Sequence, residues 1–278
     1  MDNYYYYDTF NNFNINNLLE EDKKRIKFLK IPPNWIKVKI NKDSTAKIQV
    51  TGIDSKGRTQ YIYHPAWVQF SKETKYSKIN SINFNKFENL IKKMSIFNGN
   101  ITKDYIISNM LIIMKDLNIR VGNEKYLEEN ESVGLCTLTK NHYKKTIGTC
   151  KLIFKGKRGV IHEKILNKQH ITFIDKLKNI PGKSLFKYIY KKEECVYKKV
   201  TPDDINLFLK EHVDKNMTCK DIRTYCANKI FKKEYNKFLK NGFNKNKARI
   251  EAIKITAKEL GNTTKVCRDS YIDPCLYA

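Results

Sequence analysis

Tyr271 lies near the end of the 278-residue chain, in the polar setting Arg268-Asp269-Ser270-Tyr271-Ile272-Asp273. A core tyrosine normally sits in an apolar run, and this one does not. Its phenol can attack a phosphodiester and hold the product as an ester. A packing or surface tyrosine is the ordinary alternative. Such an attack gathers negative charge on the phosphate, so it needs cationic donors. Arg120 follows the apolar run Ile106 to Leu117 and is flanked by Ile119 and Val121. A guanidinium there is costly to leave unpaired, so it meets either a carboxylate or an anion. Arg223 falls in the first turns of a helix announced by Thr218 and Asp221, beside an Ile222, Cys226, Ile230 stripe. A cation there opposes the helix dipole, which leaves room for a compensating anion. Lys157 occupies the tight turn Lys155-Gly156-Lys157-Arg158-Gly159. A glycine-flanked hairpin tip is a mobile place for a lysine, or simply a solvated turn.

The partner class follows from charge. Lys+Arg number 54 against 29 Asp+Glu, a formal +25, and the excess runs the whole length. Neutralising phosphates releases counterions, so a polyanion is the favoured partner, with a solvated charged surface as the bland reading. No basic helix with a broad apolar face points to a membrane surface. No apolar run approaches the ~18 residues of a membrane span, and the N-terminus lacks a signal-peptide pattern. Seven scattered cysteines without a Cys-x-x-Cys pair read as reduced thiols of an intracellular protein. The five histidines are equally dispersed, and no glycine-rich phosphate loop occurs. Neither a metal nor a nucleotide cofactor is expected.

These residues must be positioned by a fold. Residues 1–20, rich in Asn and Tyr, are expected to be disordered or loosely attached. A short helix over Leu18 to Leu29 stops at Pro32-Pro33. From Trp35 the apolar period is two: Ile36, Val38, Ile40, then Ile48 and Val50, with turns at 41–44 and 54–57. This predicts a small antiparallel sheet in a domain over 21–82. Its last strand, Arg58-Thr59-Gln60-Tyr61-Ile62-Tyr63, gathers types that read base edges and bond phosphates, though an exposed hairpin face uses them too. A second domain over 83–278 opens on helical spacing, with Phe87, Leu90, Ile91, Met94 and Phe97. Residues 135–139 and 147–154 read as strands, and the chain from about 185 as mostly helical. Thr201-Pro202-Asp203-Asp204 starts one helix. A helix over Ile250 to Leu260 ends at Gly261, a left-handed cap, and a short polar segment leads to Tyr271. The fold class is α+β, a small antiparallel β domain followed by a larger, mainly helical one.

Five ordered segments resemble type IB DNA topoisomerases of the small poxvirus, giant-virus and bacterial branch. Ile119-Arg120-Val121-Gly122-Asn123-Glu124-Lys125-Tyr126-Leu127, continuing to Leu138, resembles their first active-site segment. Phe154-Lys155-Gly156-Lys157 resembles their lysine hairpin, and Lys220-Asp221-Ile222-Arg223-Thr224-Tyr225 their second arginine segment. Leu260-Gly261-Asn262-Thr263-Thr264, continuing through Tyr271 to Pro274, resembles the nucleophile segment. Val50 to Tyr61 and Tyr63-His64-Pro65-Ala66-Trp67 match in the first domain. The likeness covers residues from about 30 to 278.

The resemblance implies a catalytic domain of the tyrosine recombinase and topoisomerase IB type. It implies a monomeric clamp on double-stranded DNA, relaxing supercoils through a transient 3′-phosphotyrosyl bond without ATP or metal. Tyr271 would be the nucleophile. Arg120 and Arg223 suit the non-bridging oxygens, which a planar guanidinium fork binds well. Lys157 can protonate the leaving 5′-oxygen as general acid. Poxvirus enzymes carry histidine where Asn262 stands. Its amide can donate to an oxygen but cannot titrate, so it would stabilise charge. The resemblance also implies DNA contacts for Arg58, Gln60, Tyr61 and Tyr63, while Lys125, Tyr126, Asn130, Ser132 and Thr137 match residues that contact phosphates and help assemble the site. A tyrosine site-specific recombinase shares this chemistry, but usually has histidine where Lys220 stands and a helical N-terminal domain. A non-catalytic basic DNA-binding protein is the remaining alternative. The Lys-, Asn- and Ile-heavy composition fits an AT-rich genome. With the family likeness it points to a large DNA virus, and to action in the virion or at the host-cell replication site.

Overall fold

A computed structural model describes residues 3–9, 18–191, 193–194 and 196–277. The chain forms two compact units, Met1–Lys78 and Ile79–Ala278.

The first unit is built on a four-stranded antiparallel sheet in the order β1-β2-β3-β4. The strands are β1 (Tyr4–Thr9), β2 (Ile36–Asn41), β3 (Ile48–Ile53) and β4 (Thr59–Tyr63). Alternation puts Val38, Ile40 and Val50 inward, where they pack with Tyr7, Trp35 and Ile26 of helix α1 (Glu20–Leu29). Residues 4–9, expected to be loose, form the edge strand, with Tyr5 opposite Ile40 and Tyr7 opposite Val38. Tyrosine is a good strand former, and burying Tyr7 secures the strand. Residues 1–2 and 10–17 of the N-terminal stretch lie outside the described residues. Helix α2 (Pro65–Ser81) follows.

The second unit is mainly helical. Helix α3 (Phe84–Met94) presents Phe84, Phe87 and Ile91 to the core. Helix α4 (Lys103–Leu117) is buried over the run from Tyr105 to Met114, as its almost unbroken apolar sequence requires. It ends at Asn118, in left-handed conformation. Helix α5 (Glu124–Asn130) then leads to a three-stranded sheet, β5 (Tyr143–Thr146), β6 (Thr149–Lys155) and β7 (Ile161–Ile165), in chain order. Helix α6 (Lys168–Leu177), a hairpin of β8 (Lys187–Lys191) and β9 (Val196–Lys199), and helix α7 (Pro202–His212) come next. Helices α8 (Cys219–Lys240), α9 (Lys245–Leu260) and α10 (Thr264–Ser270) complete the unit.

Three expected features differ. Residues 135–139 are not a strand: Leu135–Thr137 is a single 3-10 turn closed by Thr137 on Gly134. The region after 185 opens with a β hairpin, where Tyr188-Ile189 and Val196-Tyr197 supply β-prone side chains. The polar segment before Tyr271 is helix α10, capped by the Thr263 hydroxyl on Val266 N. Gly261 closes α9 in left-handed conformation (φ 59°), as its position predicts.

Candidate active site

Four stretches of the second unit converge. The first is the turn after α4. There the amide of Leu135 donates to Arg120 O (2.8 Å) and that of Cys136 to Val121 O (2.7 Å). Gly122 and Gly134 stack backbone on backbone. A Cβ on Gly122 would meet Gly134 Cα at 2.7 Å, and one on Gly134 would meet Gly122 N at 2.5 Å. Only glycine fits at this crossing, and it fixes where Arg120 emerges.

Arg223 enters from the first turns of α8, only 6% exposed. Its two terminal nitrogens donate to Asn118 O, the cap of α4, and to Leu260 O, the last residue of α9. The compensation expected for this cation is therefore partly internal: it sits where two helix dipoles end negatively. None of the ion pairs among the described residues uses Arg120 or Arg223. Arg120 instead donates through Nη2 to Asn262 Oδ1. Burial, reinforced by the neighbouring Arg223 charge, pushes Arg120 down to about 10, which leaves it cationic at neutral pH. Burial also lowers Arg223.

Tyr271 caps α10 and is half-buried against the cluster around Phe231 and Leu260. The Arg223 guanidinium carbon lies 5.5 Å from its ring centre, and the neighbouring Tyr271 side chain raises both arginines against the effect of burial. Two buried donors in this cluster, Arg223 Nε and Asn262 Nδ2, have no acceptor among the described residues. Unsatisfied donors of this kind are rare, and an oxyanion would satisfy them. The fourth stretch is the β6–β7 hairpin. Lys157 sits exposed in its tip and lines a small cleft with Arg120, Asn118 and Val133. The hairpin is tied to the first stretch by Val133 N donating to Lys155 O (2.8 Å) and by the Lys155–Glu131 ion pair (2.5 Å).

The structure thus gathers Tyr271, Arg120, Arg223 and Asn262, with Lys157 lining the adjoining cleft. Sequence reasoning missed His162 on β7, whose ring lies against both Gly156 and Gly261. Its pKa is pushed down to about 4, first by burial and then by the cations Lys164, Arg120 and Arg223. The available signal was register: in a hairpin turning at 156–159, His162 pairs with Phe154 and faces the same side.

The expected DNA contacts divide. In the first unit, Arg58 donates twice to Asp54 Oδ2 (3.0 and 2.7 Å) and Gln60 once (2.9 Å). Tyr61 and Tyr63 are exposed and stacked. In the second unit, Lys125, Tyr126 and Asn130 lie exposed on or beside α5, and Ser132 is half-buried after it. Thr137 is placed to help assemble the site. It is buried, and its hydroxyl accepts from Gly134 N and donates to Gly134 O, so it shapes the loop that carries Arg120.

Among the described residues no group of three or more His, Cys, Asp or Glu is placed to hold a metal, and no helix is long and apolar enough to cross a membrane. The family model for the catalytic core of eukaryotic DNA topoisomerase I matches residues 66–271. That for the N-terminal domain of bacterial DNA topoisomerase IB matches residues 9–54. DNA topoisomerase 1B of Acanthamoeba polyphaga mimivirus is 34% identical over 97% of this chain and 81% of its own length. DNA topoisomerase 1B of vaccinia virus (strain Copenhagen) is 29% identical, over 83% of this chain and 71% of its own. DNA topoisomerase 1 of rabbit fibroma virus is 27% identical, over 89% and 78%. Matches that run through both units at this coverage leave one assignment: the chain belongs to the type IB DNA topoisomerases.

Proposed function

We propose that Tyr271 is the nucleophile of a type IB reaction on duplex DNA, with Arg120, Arg223 and Asn262 holding the scissile phosphate and Lys157 protonating the leaving oxygen. The bond from Tyr271 Oη to phosphorus forms as the bond to the 5′-oxygen breaks. The phenolic proton passes to water and the 5′-oxygen takes a proton from Lys157. Religation runs the same steps backwards, so the bond energy stays in the phosphotyrosyl linkage and no nucleotide is consumed. Fixed cationic donors stabilise the charge that develops, at a few kcal/mol each.

One observation carries this reading. The Tyr271 side chain lies beside buried Arg223 and half-buried Arg120, neither paired to a carboxylate among the described residues, and next to two buried donors that lack an acceptor there. A structural tyrosine has no need of such a setting, whereas a phosphate oxygen does. The exposed Tyr61–Tyr63 pair with Arg58 and Gln60, and the α5 face with Lys125, Tyr126, Asn130 and Ser132, are the proposed DNA-contacting surfaces. The protein acts as a monomer whose two units close around the duplex, inside an infected cell or virion.

Supercoiled plasmid incubated with the protein in EDTA and without ATP should relax. Tyr271→Phe should neither relax it nor form a covalent adduct. A wild-type protein that leaves the plasmid supercoiled would overturn the proposal.

A further inference from the structure

Among the groups the proposed chemistry leaves unused, His162 has the most telling position. It stands in β7 in register with Phe154 of β6, and the two rings stack at 5.1 Å between centres. The imidazole also packs against two glycines from different parts of the chain. A Cβ on Gly156 would lie 2.5 Å from His162 Cδ2 and 2.7 Å from Nε2. One on Gly261 would run into Cε1. Gly156 immediately precedes Lys157, and Gly261 immediately precedes Asn262. The ring therefore fills the space between the lysine turn and the start of the nucleophile segment. A second tether runs alongside it: Lys164, two residues on, donates to Glu259 O at the end of α9 (3.2 Å).

We infer that His162 is a positioning residue, whose ring sets the lysine hairpin against the Gly261-Asn262 corner and so holds Lys157 in reach of the leaving oxygen. This rests on Lys157 being the general acid. The need for such a spacer is physical. Lys157 is at an exposed tip, where a turn is free to move, and proton transfer demands placement to within a fraction of an ångström. The ring nitrogens make no hydrogen bond within the described residues, so the contribution is one of shape. Burial and the surrounding cations keep the ring neutral, so it adds no repulsion to Arg120 and Arg223. The two glycines are also explained. Gly156 has an ordinary extended backbone (φ −95°, ψ −166°) that any residue adopts, so its lack of a side chain answers to the ring alone.

The test is single-turnover cleavage of two duplexes, one with a normal 5′-oxygen and one with a bridging 5′-sulfur, which leaves without protonation. His162→Ala is expected to slow the oxygen substrate about 10²-fold. On the sulfur substrate it should return close to wild type, as should Lys157→Ala. Gly156→Ala, which drives a methyl into the ring, should behave alike. Added to His162→Ala, it should cost nothing more, because the methyl then has room. Recovery of Lys157→Ala on sulfur without recovery of His162→Ala overturns the role of His162 and leaves that of Lys157 standing. Failure of both to recover overturns both. Wild-type cleavage of the oxygen substrate by His162→Ala, or independent, multiplying effects of the two substitutions, also overturns the inference. Should His162→Ala not fold, the comparison of Gly156→Ala on the two substrates decides it.

Discussion

Arg120 and Arg223 hold charge in places where charge is expensive, and they manage it differently. Arg223 gives its terminal nitrogens to two helix ends. Arg120 leans on the Asn262 amide. The sequence left open whether Arg120 meets a carboxylate or an anion, because a distant partner is invisible in a local pattern. Among the described residues no carboxylate pairs with Arg120. Asn262 becomes the residue on which the chemistry can be tuned. Its Oδ1 accepts from Arg120 while its Nδ2 has no acceptor among the described residues. Asn262→Ala should lower the cleavage rate about 10²-fold with little loss of DNA affinity. Asn262→Asp keeps an acceptor for Arg120 but replaces the free donor with a negative charge, and should be slower still. Single-turnover cleavage and a filter-binding Kd measure the two effects. An aspartate variant faster than the alanine one would contradict the assignment of Nδ2 to a phosphate oxygen.

At the scale of elements, the site is a meeting of ends: the close of α4, the start of α8, the close of α9, the tip of β6–β7. The ends with local chemistry were readable. Gly261 stops α9, Thr201 with Asp204 and Thr218 with Asp221 open α7 and α8, and the alternation of Val38 with Ile40 and of Ile48 with Val50 marks β2 and β3. Elements set by distant contacts were not. The apolar run from Leu135 to Leu138 looks like a strand, yet its amides are spent on Arg120 and Val121 and its turn on Thr137. Helix α10 has a single fully buried side chain, Cys267, too little to show a period. Helix α2 hides behind the Tyr63-His64-Pro65 corner, which reads as the end of a strand. The Gly122–Gly134 crossing is the most exacting of these contacts. Gly134→Ala forces a methyl against Gly122 N at 2.5 Å and Arg120 O at 2.8 Å, backbone atoms that cannot turn aside. It should cost about 2 kcal/mol, a fall in Tm of about 4–8 °C, and should slow cleavage by displacing Arg120. Thermal unfolding and cleavage assays on one preparation check both, and an unchanged Tm would contradict the strain.

For the whole molecule, charge was the most legible property. A formal +25 spread over both units predicts many phosphate contacts. DNA affinity should fall steeply with salt, by about 10³-fold or more between roughly 50 and 200 mM for six or more contacts. A titration at several salt concentrations measures the slope, and a nearly flat response would contradict a protein that surrounds its duplex. The family assignment came from several short segments in order, each weak alone. That is why it could be read before any element was placed.

The double grip of Arg223 on Asn118 and Leu260 has a bearing on how this enzyme can change. A catalytic group is usually a burden on folding, and removing it often makes a protein sturdier at the expense of turnover. Here the same guanidinium that faces Tyr271, the proposed nucleophile, also joins two helices to each other. Selection for endurance and selection for speed therefore pull this position the same way. Stabilised variants of this chain should accumulate their changes elsewhere and leave Arg223 untouched.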